Sequence, residues 1–138
     1  MNSSVEETVQ KVVDAINRHD LEACVACYSP DAELQDPGFP DPVHGIEHVR
    51  EGFTYWFSAF PDVHVQVVRT IIQGPEVALE WLAEASHVGE YVGVQGHGQR
   101  LRYLAAIHFR IENGLITRDL SLFDATSLRV LESNAAAG

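Results

Sequence analysis

Apolar residues recur at helical spacing in the first part of the chain and at alternate positions in the second. Val5, Val9, Val12, Val13 and Ile16 follow a 3.6-residue period, which predicts a first helix. Ser3 or Ser4 can cap it, and Glu6 and Glu7 fall in its first turn, where the helix dipole favours acids. Asn17-Arg18-His19-Asp20 ends it, and Asp20 can cap a second helix striped by Leu21, Cys24, Val25 and Tyr28. Ser29-Pro30-Asp31 stops that one. A third helix is predicted from Ile46 to Phe60, with Val49, Phe53, Trp56, Phe57 and Phe60 as its stripe, Tyr55 nearby and Pro61 as its end.

The remainder reads as strands. Val63–Gln73 is rich in β-branched residues, and Gly74-Pro75 turns the chain. In Val77–Val88, Val77, Leu79, Trp81, Ala83 and Ala85 point one way and Glu80 and Glu84 the other. Gly89 to Gly98, GEYVGVQGHG, is a glycine-rich loop read as a flexible rim. A long strand follows from Gln99 to Ile111, with Ala105, Ile107, Phe109 and Ile111 on one face and Leu104, Ala106, His108 and Arg110 on the other. Glu112-Asn113-Gly114 is a hairpin turn, Leu115–Phe123 the last strand, and Thr126–Leu131 a short helix. Helices first and antiparallel strands after predict one α+β domain over 1–132, with the tail 133–138 disordered. A curved sheet with three helices on its concave side would enclose a pocket.

Between the helical and strand-rich parts lies YSPDAELQDPGFPDPVHG, Tyr28 to Gly45. A short strand, Ala32 to Gln35, delivers Asp36 to a turn at Pro37-Gly38, and Pro40 and Pro42 keep the next residues extended. A carboxylate held at a strand end by a stiff loop suits a general base. Asp-Pro-Gly is also a common turn sequence, so a purely structural cap is the alternative.

Composition narrows the function classes. Nine basic against twenty acidic residues leave a net charge of −11, which argues against nucleic acid and anionic membrane surfaces as partners. The apolar fraction of 46% fits a folded domain. No run approaches the ~18 apolar residues of a membrane span, and Met1 to Thr8 is polar and acidic, so the expected location is cytoplasmic. Cys24 and Cys27 form a C-x-x-C without a second pair and read as a small apolar helix face. The seven histidines show no ligand-type spacing, and no phosphate-binding glycine loop or nucleophile elbow occurs, so neither metal nor cofactor is expected.

Four segments carry a family resemblance: YSPDAELQDP with VHG, FSAFPDVHV, HVGEYVGV and FRIENGLIT. In this order they resemble the nuclear-transport-factor-2-like superfamily, in particular the SnoaL-like polyketide cyclases and the ketosteroid isomerases, from about Val5 to Leu131. The resemblance implies an NTF2-like cone: three N-terminal helices on a strongly curved antiparallel sheet around an apolar pocket, often paired as a homodimer through the outer sheet face. In ketosteroid isomerases an aspartate in the matching segment moves a proton at carbon, beside an oxyanion hole of Tyr and a protonated Asp. That aspartate corresponds to Asp36, whereas the two donors fall at Val12 and Ile107. The acid of the SnoaL-like cyclases falls at Ser121, and their supporting histidine at Ile107, unless a one-residue bulge brings His108 there. Asp119 shares a face with Thr117, Ser121 and Phe123 and is the substitute acid, with structural bonding as its alternative.

The expected activity is a cofactor-independent isomerisation or ring closure of a hydrophobic oxygenated small molecule by proton transfer. Asp36 serves as base, with Asp119 or His87 as second proton carrier. The expected pocket residues are Phe53, Trp56, Phe60, Trp81, Ile107, Phe109, Ser121 and Phe123, with Tyr55 and Tyr103 as hydroxyl donors. A second reading is a binding protein with the same pocket and no chemistry. A third is an epoxide hydrolase-like enzyme using Arg102 and Asp119, although alternation puts Arg102 on the outer face.

Overall fold

A computed structural model describes residues 3–36 and 39–124 of the chain. The Pro37-Gly38 turn, the helix expected at 126–131 and the tail at 133–138 lie outside the described residues.

The first helix, α1, spans Ser3–Asn17 and buries Val5, Val9, Val12, Val13 and Ile16, the residues whose period predicted it. Asp20 caps α2, Leu21–Val25, by accepting from the Ala23 amide at 3.1 Å. This helix is shorter than its stripe predicts, because Tyr28 already belongs to a strand. β1 runs Tyr28–Asp36, longer than the expected Ala32–Gln35. The Cys27 carbonyl accepts from the Ile116 amide at 2.8 Å, so ladder bonds to a distant strand override the local helical pattern. Pro30 is tolerated where the β1 register shifts between Tyr28 and Glu33.

β2, Phe39–His44, folds back on β1 and forms one edge of the sheet, where Pro40 and Pro42 forgo no required ladder bonds. α3 spans Ile46–Ala59, one residue short of the prediction, and Phe60 closes it by donating to the Trp56 carbonyl at 2.9 Å. β3, His64–Gln73, and β4, Glu76–His87, form the next hairpin. Within the glycine-rich stretch lies a small hairpin, β5 at Glu90–Tyr91 and β6 at Val94–Gln95. β7, Gln99–Glu112, and β8, Leu115–Phe123, complete the fold, joined through Asn113 and Gly114 at φ 53° and 77°.

The main sheet has six strands in the order β2-β1-β8-β7-β4-β3. Two expectations need correction. The sheet is mixed, not antiparallel throughout, because β1 runs parallel to β8. A chain that enters the sheet only after two helices returns its last strand beside the first one without a hairpin between them. The sheet is also not strongly curled: it is an open ladder with β2 and β3 as edges, and the β4–β7 register is unbroken from Glu76↔Arg110 to His87↔Gln99. Bulges, which bend strands, fall elsewhere.

Alternation along β7 buries Leu101, Tyr103, Ala105, Ile107, Phe109 and Ile111 against the helices. The opposite face leaves Leu104 57% exposed and carries ion pairs such as Arg102–Glu84 at 3.4 Å. Among the described residues no helix is long and apolar enough to cross a membrane.

Candidate functional site: an acid-bearing apolar cavity

Between α1, α3 and the inner sheet face lies a cavity of about 100 Å³. Its apolar wall comes from α1 (Val12, Ile16), α3 (Val49, Phe53, Trp56), β4 (Trp81) and β7 (Ala105, Ile107, Phe109). Trp56 and Trp81 stack with centroids 6.4 Å apart and planes 13° off parallel. Trp56 Nε1 donates to Tyr103 Oη at 2.9 Å. That bond fixes the indole and leaves the Tyr103 hydroxyl proton on the cavity wall.

The polar wall comes from two strands that the parallel pairing sets side by side. From β1 come Tyr28, Gln35 and Asp36, and from β8 come Asp119 and Ser121. Leu34 pairs with Asp119 and Gln35 with Leu120. Strict alternation would send Gln35 away from Asp36, yet Leu34, Gln35 and Asp36 all line the cavity. The irregularity between Leu34 and Asp36 is the physical reason, since a bulge re-aims side chains.

Asp119 sits at the centre of this wall. Tyr28 Oη donates to its Oδ2 at 2.6 Å and Ser121 Oγ to its Oδ1 at 2.7 Å. Burial pushes its carboxyl above the usual carboxylate range; the two hydrogen bonds pull the other way, the charge of Asp36 adds to the rise, and Arg118 opposes it. Burial likewise holds Tyr28 and Tyr91 well above the ordinary phenol value and pushes Tyr103 up, so all three remain neutral hydroxyls. Two carboxylates and three phenols thus face one apolar chamber.

Of the residues singled out by sequence, Asp36, Asp119, Phe53, Trp56, Trp81, Tyr103, Ile107, Phe109, Ser121 and Phe123 line this cavity. Three do not, and their placement corrects the expectation. His87 is fully buried against Phe60, with ring centroids 4.9 Å apart. The backbone at Gly96 crosses so close that a Cβ there would lie 2.3 Å from the His87 carbonyl oxygen, and Gly98 N donates to that oxygen at 2.7 Å. Phe60 is the partner in this stack, behind Tyr91 and Tyr103. Tyr55 points to the β5–β6 hairpin, where its Oη donates to Glu90 Oε2 at 2.9 Å and accepts from the Val92 amide at 2.7 Å.

Sequence reasoning missed Tyr28, Gln35 and Tyr91. Tyr28 looked like the end of a helical stripe, and Tyr91 lay in a glycine-rich loop. His108 stays on the outer face and bonds Glu76 at 2.9 Å, so no bulge carries it inward. Arg102 is likewise outside, which leaves the epoxide-opening arrangement without its arginine. Cys24 and Cys27 are buried free thiols, and burial pushes Cys24 up to about 12. Among the described residues no group of three or more His, Cys, Asp or Glu is arranged to hold a metal ion.

Comparison with solved structures gives close likenesses over almost the whole chain. The candidate hydroxylase AclR of Streptomyces galilaeus is 26% identical, with a TM-score of 0.75 over 93% of this chain and 95% of its own. The candidate SnoaL-like polyketide cyclase of Jannaschia sp. CCS1 is 19% identical, with a TM-score of 0.84 over 94% and 91%. IdmH, a candidate polyketide cyclase of Streptomyces antibioticus, is 22% identical, with a TM-score of 0.79 over 93% and 97%. No curated protein matches the sequence significantly. The SnoaL-like domain matches residues 9–119, a span that contains α3 and both cavity acids, and the chain therefore belongs to the SnoaL-like domain family.

Proposed function

We propose that the protein is an isomerase or cyclase that moves protons on a hydrophobic, oxygenated, polyketide-like small molecule. The observation that carries this reading is the presence of two carboxylates, Asp36 and Asp119, on the wall of one aromatic cavity. The Asp36 carboxylate takes a proton from carbon beside a carbonyl, and the electron pair moves to the carbonyl oxygen to give an enolate. In an isomerisation the proton returns at another carbon. In a ring closure the enolate carbon bonds to a second carbonyl carbon, whose oxygen takes a proton from Asp119. Like charges in one site keep one carboxyl protonated more readily than either would be alone, which supplies the acid and the base from the same pair. The chemistry calls for neither metal nor redox cofactor. The family membership and the names of the structural neighbours support the reaction class.

A specific observation favours a second reading, ligand binding without chemistry. Val12 and Ile107, where ketosteroid isomerases carry their oxyanion donors, are apolar walls here, and Asp119 is already engaged by Tyr28 and Ser121.

Deuterium exchange separates the two. A panel of neutral cyclic monoketones and aryl ketones in D₂O, followed by mass spectrometry, should show exchange beside the carbonyl above the buffer rate. Asp36→Asn should lower the excess rate by about 10²–10⁴-fold, the usual range for loss of a general base. Exchange at the buffer rate for every compound, or full exchange in Asp36→Asn, overturns the proton-transfer reading and leaves the binding one.

A further inference from the structure

Tyr28 is committed to Asp119. Tyr103 keeps its proton on the cavity wall while its oxygen accepts from Trp56, whereas the Tyr91 hydroxyl neither donates nor accepts among the described residues. Tyr91 is only 8% exposed and lines the chamber. Its ring is caged: Tyr55 lies 5.0 Å away, Phe60 meets it edge-on at 5.1 Å, and Phe123 stacks at 5.7 Å. The ring is buried but its oxygen is not sealed in the protein, since the buried polar side-chain atoms left without a partner do not include it, so a ligand in the chamber can reach it.

The segment that holds Tyr91 is strained. Val92 and Gly93, at the tip of the β5–β6 hairpin, have φ of 44° and 81°. Glycine adopts this region readily, whereas a β-branched residue there is a genuine outlier that the surroundings must enforce. Tyr55 provides the enforcement from α3. Its Oη accepts from the Val92 amide at 2.7 Å and donates to Glu90 Oε2, and that same oxygen accepts from Gly93 N at 2.7 Å. The tip amides are tied to one tyrosine and one glutamate, and the residue next to the tip is Tyr91.

We propose that Tyr91 donates its hydroxyl proton to the carbonyl oxygen of the bound substrate, and that Tyr55 is the positioning residue that clamps the hairpin presenting it. This rests on the proton-transfer reading for its ligand class and deepens it. Asp36 and Asp119 on the same wall disfavour ligands that bear a carboxylate, so the acceptor is a neutral ketone on a flat ring that the aromatic wall can hold. As the proton leaves carbon, negative charge gathers on that oxygen, where a donor held in a dry site acts most strongly. Tyr91 thereby fills from β5 the role left open at Val12 and Ile107. Its own proton is secure, because burial and the nearby acids hold the phenol well above its ordinary value.

The test needs no turnover. Acetophenone and its isostere α-methylstyrene differ in C=O against C=CH₂. The wild-type protein should prefer acetophenone, and the infrared stretch of carbonyl-¹³C acetophenone should fall on binding. Tyr91→Phe keeps the aromatic cage. It should reduce the preference by roughly three- to tenfold, the worth of about one hydrogen bond, and return the band toward its position in an apolar solvent. Tyr55→Phe, with Tyr91 intact, should broaden the band and speed proteolysis within residues 89–98. No preference in the wild type, or an unchanged preference and band in Tyr91→Phe, overturns the donor role. An unchanged band and proteolysis rate in Tyr55→Phe overturns the clamp. Preference intact with no deuterium exchange counts against proton transfer alone, whereas exchange intact with no preference counts against Tyr91 alone.

Discussion

Tyr28 and Asp119 stand 91 positions apart in the chain, and Tyr28 Oη donates to Asp119 Oδ2 at 2.6 Å. The bond exists because β1 and β8 run side by side in parallel, the one parallel pairing in a sheet otherwise built of antiparallel neighbours among the described residues. It supports the ionised form of a carboxyl that burial opposes. The site thus holds an acid whose proton affinity is set by burial against hydrogen bonding, and each hydrogen-bond donor can be removed separately.

Tyr28→Phe removes the donor and keeps the ring against Phe53, 5.8 Å away. A hydrogen bond to the charged form lowers a carboxyl pKa, so its loss should raise that of Asp119 further. The expected stability cost is about 0.5–1.5 kcal/mol. Carboxyl ¹³C titration checks the shift, and a pKa that stays or falls would contradict the competition described.

Asp119 also shapes stability against pH. Its folded pKa lies above the ordinary value, so the native state holds the proton over the interval between the two. The stability it contributes is complete below the unfolded pKa and is lost as pH rises through the folded one. Asp119→Asn cannot titrate. In urea unfolding at a series of pH values, the variant should therefore gain on wild type as pH climbs from the ordinary carboxyl range toward neutrality. Asp62 and Glu76, whose pKa values are lowered by their partners, act oppositely but equally in both proteins. A difference independent of pH would show that Asp119 is not perturbed.

Cys24 and Cys27 should be inert in the native protein. A thiolate is the reactive species, and burial holds Cys24 up at about 12 and raises Cys27. Iodoacetamide at neutral pH should label neither until denaturant is added. Fast native labelling would mean that the α2 region opens readily.

The outer sheet face is proposed as a homodimer interface. Ile71, Leu104 and Leu122 are 58%, 57% and 52% exposed, and on β7 the face opposite Leu104 is buried. Apolar residues left on the outside of a sheet are expected where something covers them. Light scattering at micromolar concentration should give a dimer for wild type and a monomer for Leu104→Lys. A monomeric wild type sinks the proposal.

Local pattern in the chain was enough to place α1, α3 and the buried faces of β4 and β7. The 3.6-residue period of Val5 to Ile16 and the alternation of Tyr103, Ala105, Ile107 and Phe109 are local signals, and water enforces them locally by expelling apolar surface. Asn113-Gly114 is equally local, since its backbone angles are a property of those residues. What tertiary structure alone decided is which buried atoms border empty space. Trp81 and His87 share a strand face, yet Trp81 borders the cavity and His87 lies under Phe60, because the Gly96 backbone closes over it. Tyr55 sits beside the stripe of α3, but its hydroxyl meets a hairpin 35 residues onward. Tyr28 became a cavity residue only when β8 arrived beside it. Periodicity reports that a side chain leaves water; whether it then meets another side chain or a void depends on contacts made by segments far away in the chain, and no local pattern carries that information.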